Sequence, residues 1–407
     1  MVKRLGLVAE KLLHMAVLWL LMDFFLPLWA EMKGLPEPAG LEPEQVFVVL
    51  FSLGFVTAVV FTTPWKFLHT LWRSSLVWIL LLWAAFSFFW SEAPDLTLRR
   101  TVGVAIVAVY AMALRVRFTD QEFLTLLGWT FFIALGISLM LVLGAPHWAV
   151  MEYPHEGAWN GAFLHKNVLG RISALGVLTF GFVRWTDQRP HLWNVALVLA
   201  VVSLWKSQSA SSLVVVVVLS ALGLGLRELP RRRLWKGPTI FVFALGFATA
   251  AFYAMLNFDL ILQVLRRDVT LTGRTPLWAA LIPLLRDRLW TGYGFRAFWL
   301  GWEGPSAEVY RVLTWLPEHA HNGFLDLWLE LGLVGMMLGA GLLLSPLVFH
   351  WRTATQGRPL ALFWVLLGLF ILFYNLPESY FMRPNSILWL LAVAAATVPP
   401  DQEEERS

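Results

Sequence analysis

The chain contains no cysteine. That excludes disulfides, thiolate metal sites and cysteine nucleophiles, and leaves the redox compartment open. Charge is also scarce, at 14% of 407 residues, where a soluble domain carries about 25%. No Gly-x-x-x-x-Gly-Lys phosphate loop occurs, which argues against nucleotide hydrolysis. Nor is there an Asp-x-Asp pair to hold a divalent cation beside a diphosphate. Internal repeats, low-complexity tracts and a second domain are missing too. So is the ten-residue alternation of a membrane β-barrel: Leu213–Leu219 reads Leu, five valines, Leu.

What the chain has instead is apolar length. Hydrophobic residues make up 58% and the mean hydropathy is +0.66. About 20 apolar residues cross a bilayer as a helix, and twelve stretches qualify. They lie near 11–30, 44–63, 75–91, 100–114, 121–143, 167–184, 192–205, 209–226, 238–256, 322–347, 359–376 and 385–398. The expected fold is an all-α polytopic membrane protein, with 1–407 forming one integral membrane domain. A long loop, 257–321, is inserted between spans nine and ten. The first span lacks a small-residue cleavage site after it and reads as a retained helix.

Charge gives the orientation. With the N-terminus in the cytoplasm, the cytoplasmic side collects sixteen Lys and Arg, from Lys3 and Arg4 to Arg406. The opposite short loops hold six: Lys33, Arg99, Arg100, Lys166, Lys206 and Arg383. This satisfies the positive-inside rule and puts both termini in the cytoplasm, the acidic tail 401–407 being a solvated end. The long loop then faces outward with seven arginines: Arg266, Arg267, Arg274, Arg286, Arg288, Arg296 and Arg311. Long loops translocate whatever their charge, which is one explanation; a surface for an anionic substrate is the other. Within the loop, Leu277, Leu281, Leu284 and Leu285 recur at helical spacing. They suggest a helix lying apolar face down on the membrane, or a plain connector helix.

Three outer clusters are candidates for chemistry. His165, Lys166 and Asn167 open the sixth span. A lysine there opposes the helix dipole unless an anion binds, or it snorkels to the headgroups. Arg171, a turn deeper, is by default a functional candidate; otherwise it pairs with a carbonyl, Glu330 or Glu378. Arg274 and Arg296 lie in Gly273-Arg-Thr-Pro-Leu-Trp278 and Gly292-Tyr-Gly-Phe-Arg-Ala-Phe-Trp299, and guanidinium is a bidentate partner for phosphate. His319, His321 and Asn322 open the tenth span. A histidine can take a proton from a hydroxyl near neutral pH, or simply cap the helix. Two histidines without a third ligand are a weak metal site, and no metal is expected.

In this order, Trp90–Arg100, Gly161–Gly170, Ser207–Ser212, Thr272–Trp278, Gly292–Trp299 and Pro317–Gly332 resemble the O-antigen ligase and polymerase superfamily, the Wzy/WaaL-like proteins. The wording is closest to polymerases of the ExoQ type. Ala210 stands where relatives often carry arginine. The resemblance covers residues 80–335 and implies a glycosyltransferase with a GT-C-like bundle, working without metal or cofactor. It implies a glycan donor on undecaprenyl diphosphate at the periplasmic face of the inner membrane. The family's catalytic histidine falls on His321 and its arginine on Arg274. The looser basic residue falls on Lys166, with Arg171 second, and His165, Asn167, Arg296, His319 and Asn322 are taken as substrate-binding. For a polymerase the acceptor is another lipid-linked glycan, and a co-polymerase that regulates chain length is a possible partner. For a ligase it is lipid A core. Transport or flipping of the lipid is the alternative from another class.

Overall fold

In a computed structural model the described residues are 2–25, 28, 43–228 apart from 154 and 188, and 274–398 apart from 314. The expected ninth span, the front of the long loop with Arg266 and Arg267, the loop 31–42 and the acidic tail lie outside them.

Helices occupy the other expected positions. They are α1 (Val2–Leu20), α2 (Pro43–Thr62), α3 (Pro64–Arg73), α4 (Ser75–Phe86), α5 (Pro94–Arg117), α6 (Asp120–Gly144), α7 (Lys166–Thr186), α8 (Pro190–Lys206) and α9 (Ala210–Glu228). After the undescribed stretch come α10 (Arg274–Asp287), α11 (Ser306–Val312), α12 (Gly323–Thr355), α13 (Pro359–Tyr374) and α14 (Ile387–Ala396). Among the described residues five helices are long and apolar enough to cross a membrane: α5, α6, α7, α9 and α12. A sixth span results if α2 and α3, bent by 113°, count as one. Four further apolar helices are shorter, at 10–17 residues. The chain is a multi-pass helical membrane protein; the total of twelve spans stays an expectation.

Local signals explain the boundaries. Proline stands in the first turn of α3, α5, α8 and α13, where its missing N–H costs nothing. Thr119 and Glu122 close a capping box on α6. Arg115 and Arg117 end α5, where cations suit the helix dipole. Two elements depart from expectation. The first helix begins nine residues before position 11 and stops at Leu20, because Asp23 and Phe25 adopt left-handed backbone, with φ of 55° and 62°. The connection after α2 is itself helical, and α3 leaves Trp65 and Trp72 exposed, as a helix lying at a membrane surface would.

α13 and α14 form the centre: nearly every residue of both is buried, from Ala361 to Tyr374 and from Ile387 to Ala396. α5, α7, α9 and α12 pack around them. Arg115 closes one end of this core, paired with Asp120 and 4.1 Å above the ring of Trp364. A smaller core lies under the long loop. It joins Leu277, Leu281, Leu284 and Leu285 of α10 to Tyr293, Phe298, Val309, Tyr310, Ala320 and Leu329. The leucine face of α10 is therefore packed on protein, and the reading of a helix lying face down on lipid gives way to a folded cap on α12.

Candidate active site

The long loop is fastened to the bundle at a break in α12. Gly332 has φ 69° and ψ −175° in the middle of the helix, which frees backbone groups on either side of it. The loop takes them up: the N–H groups of Tyr293 and Gly294 donate to the carbonyls of Leu329 (2.8 Å) and Glu330 (2.9 Å), and that of Leu333 donates to the carbonyl of Leu289 (2.8 Å). Indole N–H groups brace the joint, Trp83 to Leu331 (2.9 Å), Trp90 to Thr291 (3.0 Å) and Trp328 to Leu289 (3.1 Å). Side chains are excluded here. A Cβ at Gly332 would lie 2.1 Å from the carbonyl carbon of Trp290, and one at Gly292 would lie 2.5 Å from that of Glu330.

The motif around Trp90 belongs to the same joint. Glu92 donates its N–H to the carbonyl of Tyr293 (3.0 Å), and Thr97 its hydroxyl to that of Phe295 (2.9 Å). Phe295 N–H donates to Ser87 Oγ at 3.0 Å. Gly294, at φ 102°, sits so close to Ser91 that a Cβ would meet its Oγ at 2.3 Å and its Cα at 2.6 Å. Replacing Gly294 by alanine should therefore strain or detach the loop, at a cost of about 1–3 kcal/mol. A thermal-unfolding midpoint of the purified protein several degrees below wild type is expected; an unchanged midpoint would mean the close approach to Ser91 is dispensable.

This joint sets Arg296. It has φ 58°, its carbonyl accepts from Arg100 Nη1 at 2.8 Å, and its Nη1 lies 3.7 Å from Glu330 Oε1. Its Nε is buried with no hydrogen-bond partner among the described residues. Arg274, at the start of α10, donates from Nη1 to the carbonyl of Pro377 at 2.7 Å and reaches Glu378 Oε1 at 3.6 Å. Glu378 Oε1 also accepts from Asn167 Nδ2 at 3.4 Å, so one carboxylate links α7 to α10. Burial pushes the Glu378 carboxyl above its ordinary range, with Arg274, Arg171 and Arg383 opposing.

The turn before α12 is held on both sides. Asn322 caps the helix, its Oδ1 accepting from the N–H groups of Phe324 (3.0 Å) and Leu325 (3.1 Å). Asp326 Oδ1 accepts from Ala320 N–H (2.9 Å) and Trp299 Nε1 (2.8 Å). His319 Nδ1 accepts from His321 N–H at 3.1 Å, so its neutral tautomer carries the proton on Nε2. His321 has φ 51°, an uncommon backbone for histidine. Its ring is 4.1 Å from that of His319 and 5.8 Å from that of Trp315. Its Nδ1 is buried without a partner among the described residues. Burial lowers the His319 pKa to about 3, with Arg383, Arg296 and Arg274 adding to it. Burial likewise lowers that of His321 to about 3; His319 and Arg274 contribute, and Asp326 opposes. Both rings are neutral at physiological pH.

At the head of α7, His165 is the N-cap, its Nδ1 accepting from Asn167 N–H at 3.2 Å. Burial, then His155 and Lys166, lower its pKa. Lys166 is buried and its Nζ donates to the carbonyl of Gln208 at 3.4 Å. Ser207–Ser212 supports this end, since a Cβ at Gly170 would lie 2.4 Å from Ser209 Cβ. Arg171 forms no ion pair with Glu330 or Glu378; its guanidinium stacks 3.8 Å from the ring centroid of Tyr380. His165 and Asn322 are thus occupied by capping. Glu378 joins Asn167 to Arg274, the charges of Arg274 and Arg296 reach His319 and that of Arg274 reaches His321, while Lys166 is tied to Gln208.

The residues that the sequence does not single out are Asp326, Tyr380 and Arg383, while Glu330 and Glu378 stand out in it only as partners for Arg171. An acid inside a span is a usable signal for Asp326 and Glu330. The loop Glu378–Arg383 offers only a polar run in a short outer connection.

Two arginines that each face a carboxylate, beside a neutral histidine pair and under a loop packed on a helical membrane bundle, are suited to group transfer in which negative charge develops. Residues 195–340 match the O-antigen ligase family, and the match supports a place for the chain in the O-antigen ligase/polymerase superfamily. Within it the chain is similar to the exopolysaccharide production protein ExoQ of Rhizobium meliloti (strain 1021). The two are 31% identical over 281 residues, 65% of this chain and 63% of that protein. The match thus spans less than two thirds of the relative's length.

Proposed function

We propose that the chain is a polymerase of glycan repeat units carried on undecaprenyl diphosphate. It would act at the outer, periplasmic face of the inner membrane without a metal, with both termini in the cytoplasm. The observation that carries this reading is the juxtaposition of Arg274 with His321, and of Arg296 with the adjoining ring of His319, at the joint between the long loop and α12. The family match and the likeness to ExoQ support it. Glycosyl transfer breaks the bond between the sugar's anomeric carbon and the phosphate oxygen and forms one to the acceptor oxygen. Diphosphate is a good leaving group, so the main demand is to stabilise charge on the departing oxygens. Fixed guanidinium groups in a water-poor site do that without reorganising. His321 takes the acceptor's proton.

The low pKa of His321 fits an ordered reaction. Alone, it is a weak base ringed by cations; a bound diphosphate neutralises those cations and raises its pKa toward the working pH. Ligation to lipid A core differs only in the acceptor, and the ExoQ likeness favours polymerisation. Transport would be favoured by internal repeats, and the sequence shows none.

Deleting the chain should leave cells with single repeat units on the lipid and no polymer, read as a ladder on a gel of extracted glycolipids. Long lipid-linked chains that merely fail to reach the core would be the ligase's result and would overturn the polymerase reading.

A further inference from the structure

Arg383 lies in the short loop between α13 and α14, in contact with the face of Tyr380. The guanidinium of Arg171 stacks 3.8 Å from that ring's centroid and the guanidinium of Arg383 lies 5.3 Å from it. One phenol ring thus joins two cations from two elements. The arrangement is costly unless something offsets it, because the like charges repel through a poorly solvated space. A protein acid would be the simplest counterion, yet the nearby acids are committed. Glu378 is 3.6 Å from Arg274, Glu330 is 3.7 Å from Arg296, and Asp326 accepts from Trp299 and Ala320. Asp23 feels both guanidinium groups, but neither is within ion-pair distance of it among the described residues. The buried Arg171 leaves Nε and Nη1 without a hydrogen-bond partner. The Arg383 guanidinium has no ion pair or hydrogen bond among the described residues, and its charge reaches His319, His321 and Glu378.

From this geometry we infer that Arg383 is a diphosphate-binding residue, and that Tyr380 fixes its spacing from Arg171 so that both forks meet one phosphate group. The inference rests on the reading of a diphosphate-linked donor, and it gives the loop between α13 and α14, which already holds Arg274 through Pro377 and Glu378, a direct part in binding. Tyr380 acts as a positioning residue: its π face holds both cations and its hydroxyl is hydrogen-bonded to Arg171. The sequence signal is one arginine among six basic residues in the short outer loops, with nothing to separate it from an ordinary surface charge.

The test is binding, read apart from transfer. Inorganic diphosphate is titrated into the purified full chain in detergent and followed by calorimetry. Arg383→Gln should weaken binding roughly ten- to a hundredfold, as loss of charge-assisted hydrogen bonds does. Arg383→Lys should keep part of the affinity, Tyr380→Phe, which keeps the ring and loses only the hydroxyl bond to Arg171, should weaken binding less than Tyr380→Leu, and Tyr380→Leu should resemble Arg383→Gln. Arg311→Gln, on an exposed arginine of the long loop, should bind as wild type does. Should Arg383→Gln fail to fold, the lysine variant and the Phe/Leu pair at Tyr380 decide the question in its place. Wild-type affinity in Arg383→Gln, or no diphosphate binding by the wild-type chain, overturns the inference. A chain that binds diphosphate through Arg383 yet makes no polymer would sink the proposed function and leave this assignment standing. Polymerisation with unaltered kcat and KM in Arg383→Gln would do the reverse.

Discussion

Replacing His321 by alanine is expected to cut polymer formation by about 10²–10⁴-fold, the range for a positioned general base, while the protein still reaches the membrane in normal amount. Asn322, rather than His321, supplies the helix cap, so the variant removes a ring without uncapping α12. The strained backbone at φ 51° should relax with glycine, which makes His321→Gly a useful second variant: it should be as inactive and at least as stable. The pH profile supplies an independent reading. With a pKa of about 3 in the free site, His321 is unprotonated above roughly pH 4, so kcat/KM should not fall with a midpoint near 6.5. Bound diphosphate raises that pKa, so the acid limb of kcat should lie at higher pH than that of kcat/KM. For stability the sign is the ordinary one for a depressed pKa. Between 6.5 and about 3 the unfolded chain holds more protons, and acidification through that window favours unfolding. Substantial transfer by His321→Ala would reduce His321 to a structural role in the turn.

The second large effect is at Arg274. One of its terminal nitrogens is spent on the carbonyl of Pro377 at 2.7 Å and another faces Glu378 at 3.6 Å, so the guanidinium plane is fixed before a substrate arrives. Lysine offers a single ammonium that cannot hold that carbonyl and engage a phosphate in a fork. Arg274→Lys is expected to lose about 10²–10³-fold in kcat, as when one preorganised donor is removed from a transition-state site, with a smaller change in KM. Full activity in the lysine variant would show that charge alone suffices and that bidentate phosphate binding is the wrong account. Glu378→Gln gives a companion measurement. It keeps the shape and an acceptor for Asn167 but removes the charge facing Arg274, so it should loosen the donor site without abolishing transfer.

The helices were legible because long apolar runs admit few other structures in a membrane, and their ends because proline, Thr119 and Asn322 stand at the caps. The break at Gly332 was not legible: Leu331-Gly-Leu333 continues the apolar pattern, and the break is stabilised by hydrogen bonds from Tyr293 and Gly294, about forty residues away in the chain. For the same reason the motifs around Trp90 and Gly292 read as separate clusters, though Glu92, Thr97 and Arg100 bond directly to Tyr293, Phe295 and Arg296. At the site, residue types marked three clusters of cations and histidines, and it was the family resemblance that selected His321, Arg274 and Lys166 within them. They could not separate capping from binding at His165 and Asn322, because one polar side chain at a helix start suits both. Arg171 reads as a functional candidate or as the partner of a carbonyl or an acid, and it stacks on Tyr380, a contact that depends on the packing of α13 against α7 rather than on any local pattern.

The most direct test uses the purified chain in nanodiscs, supplied only with undecaprenyl-diphosphate-linked repeat units, with EDTA present and no lipid A core. The account predicts multimers on a single lipid carrier, one undecaprenyl diphosphate released per linkage formed, and no product from His321→Ala. Donor recovered intact, or consumed only when core acceptor or a divalent metal is added, would contradict it.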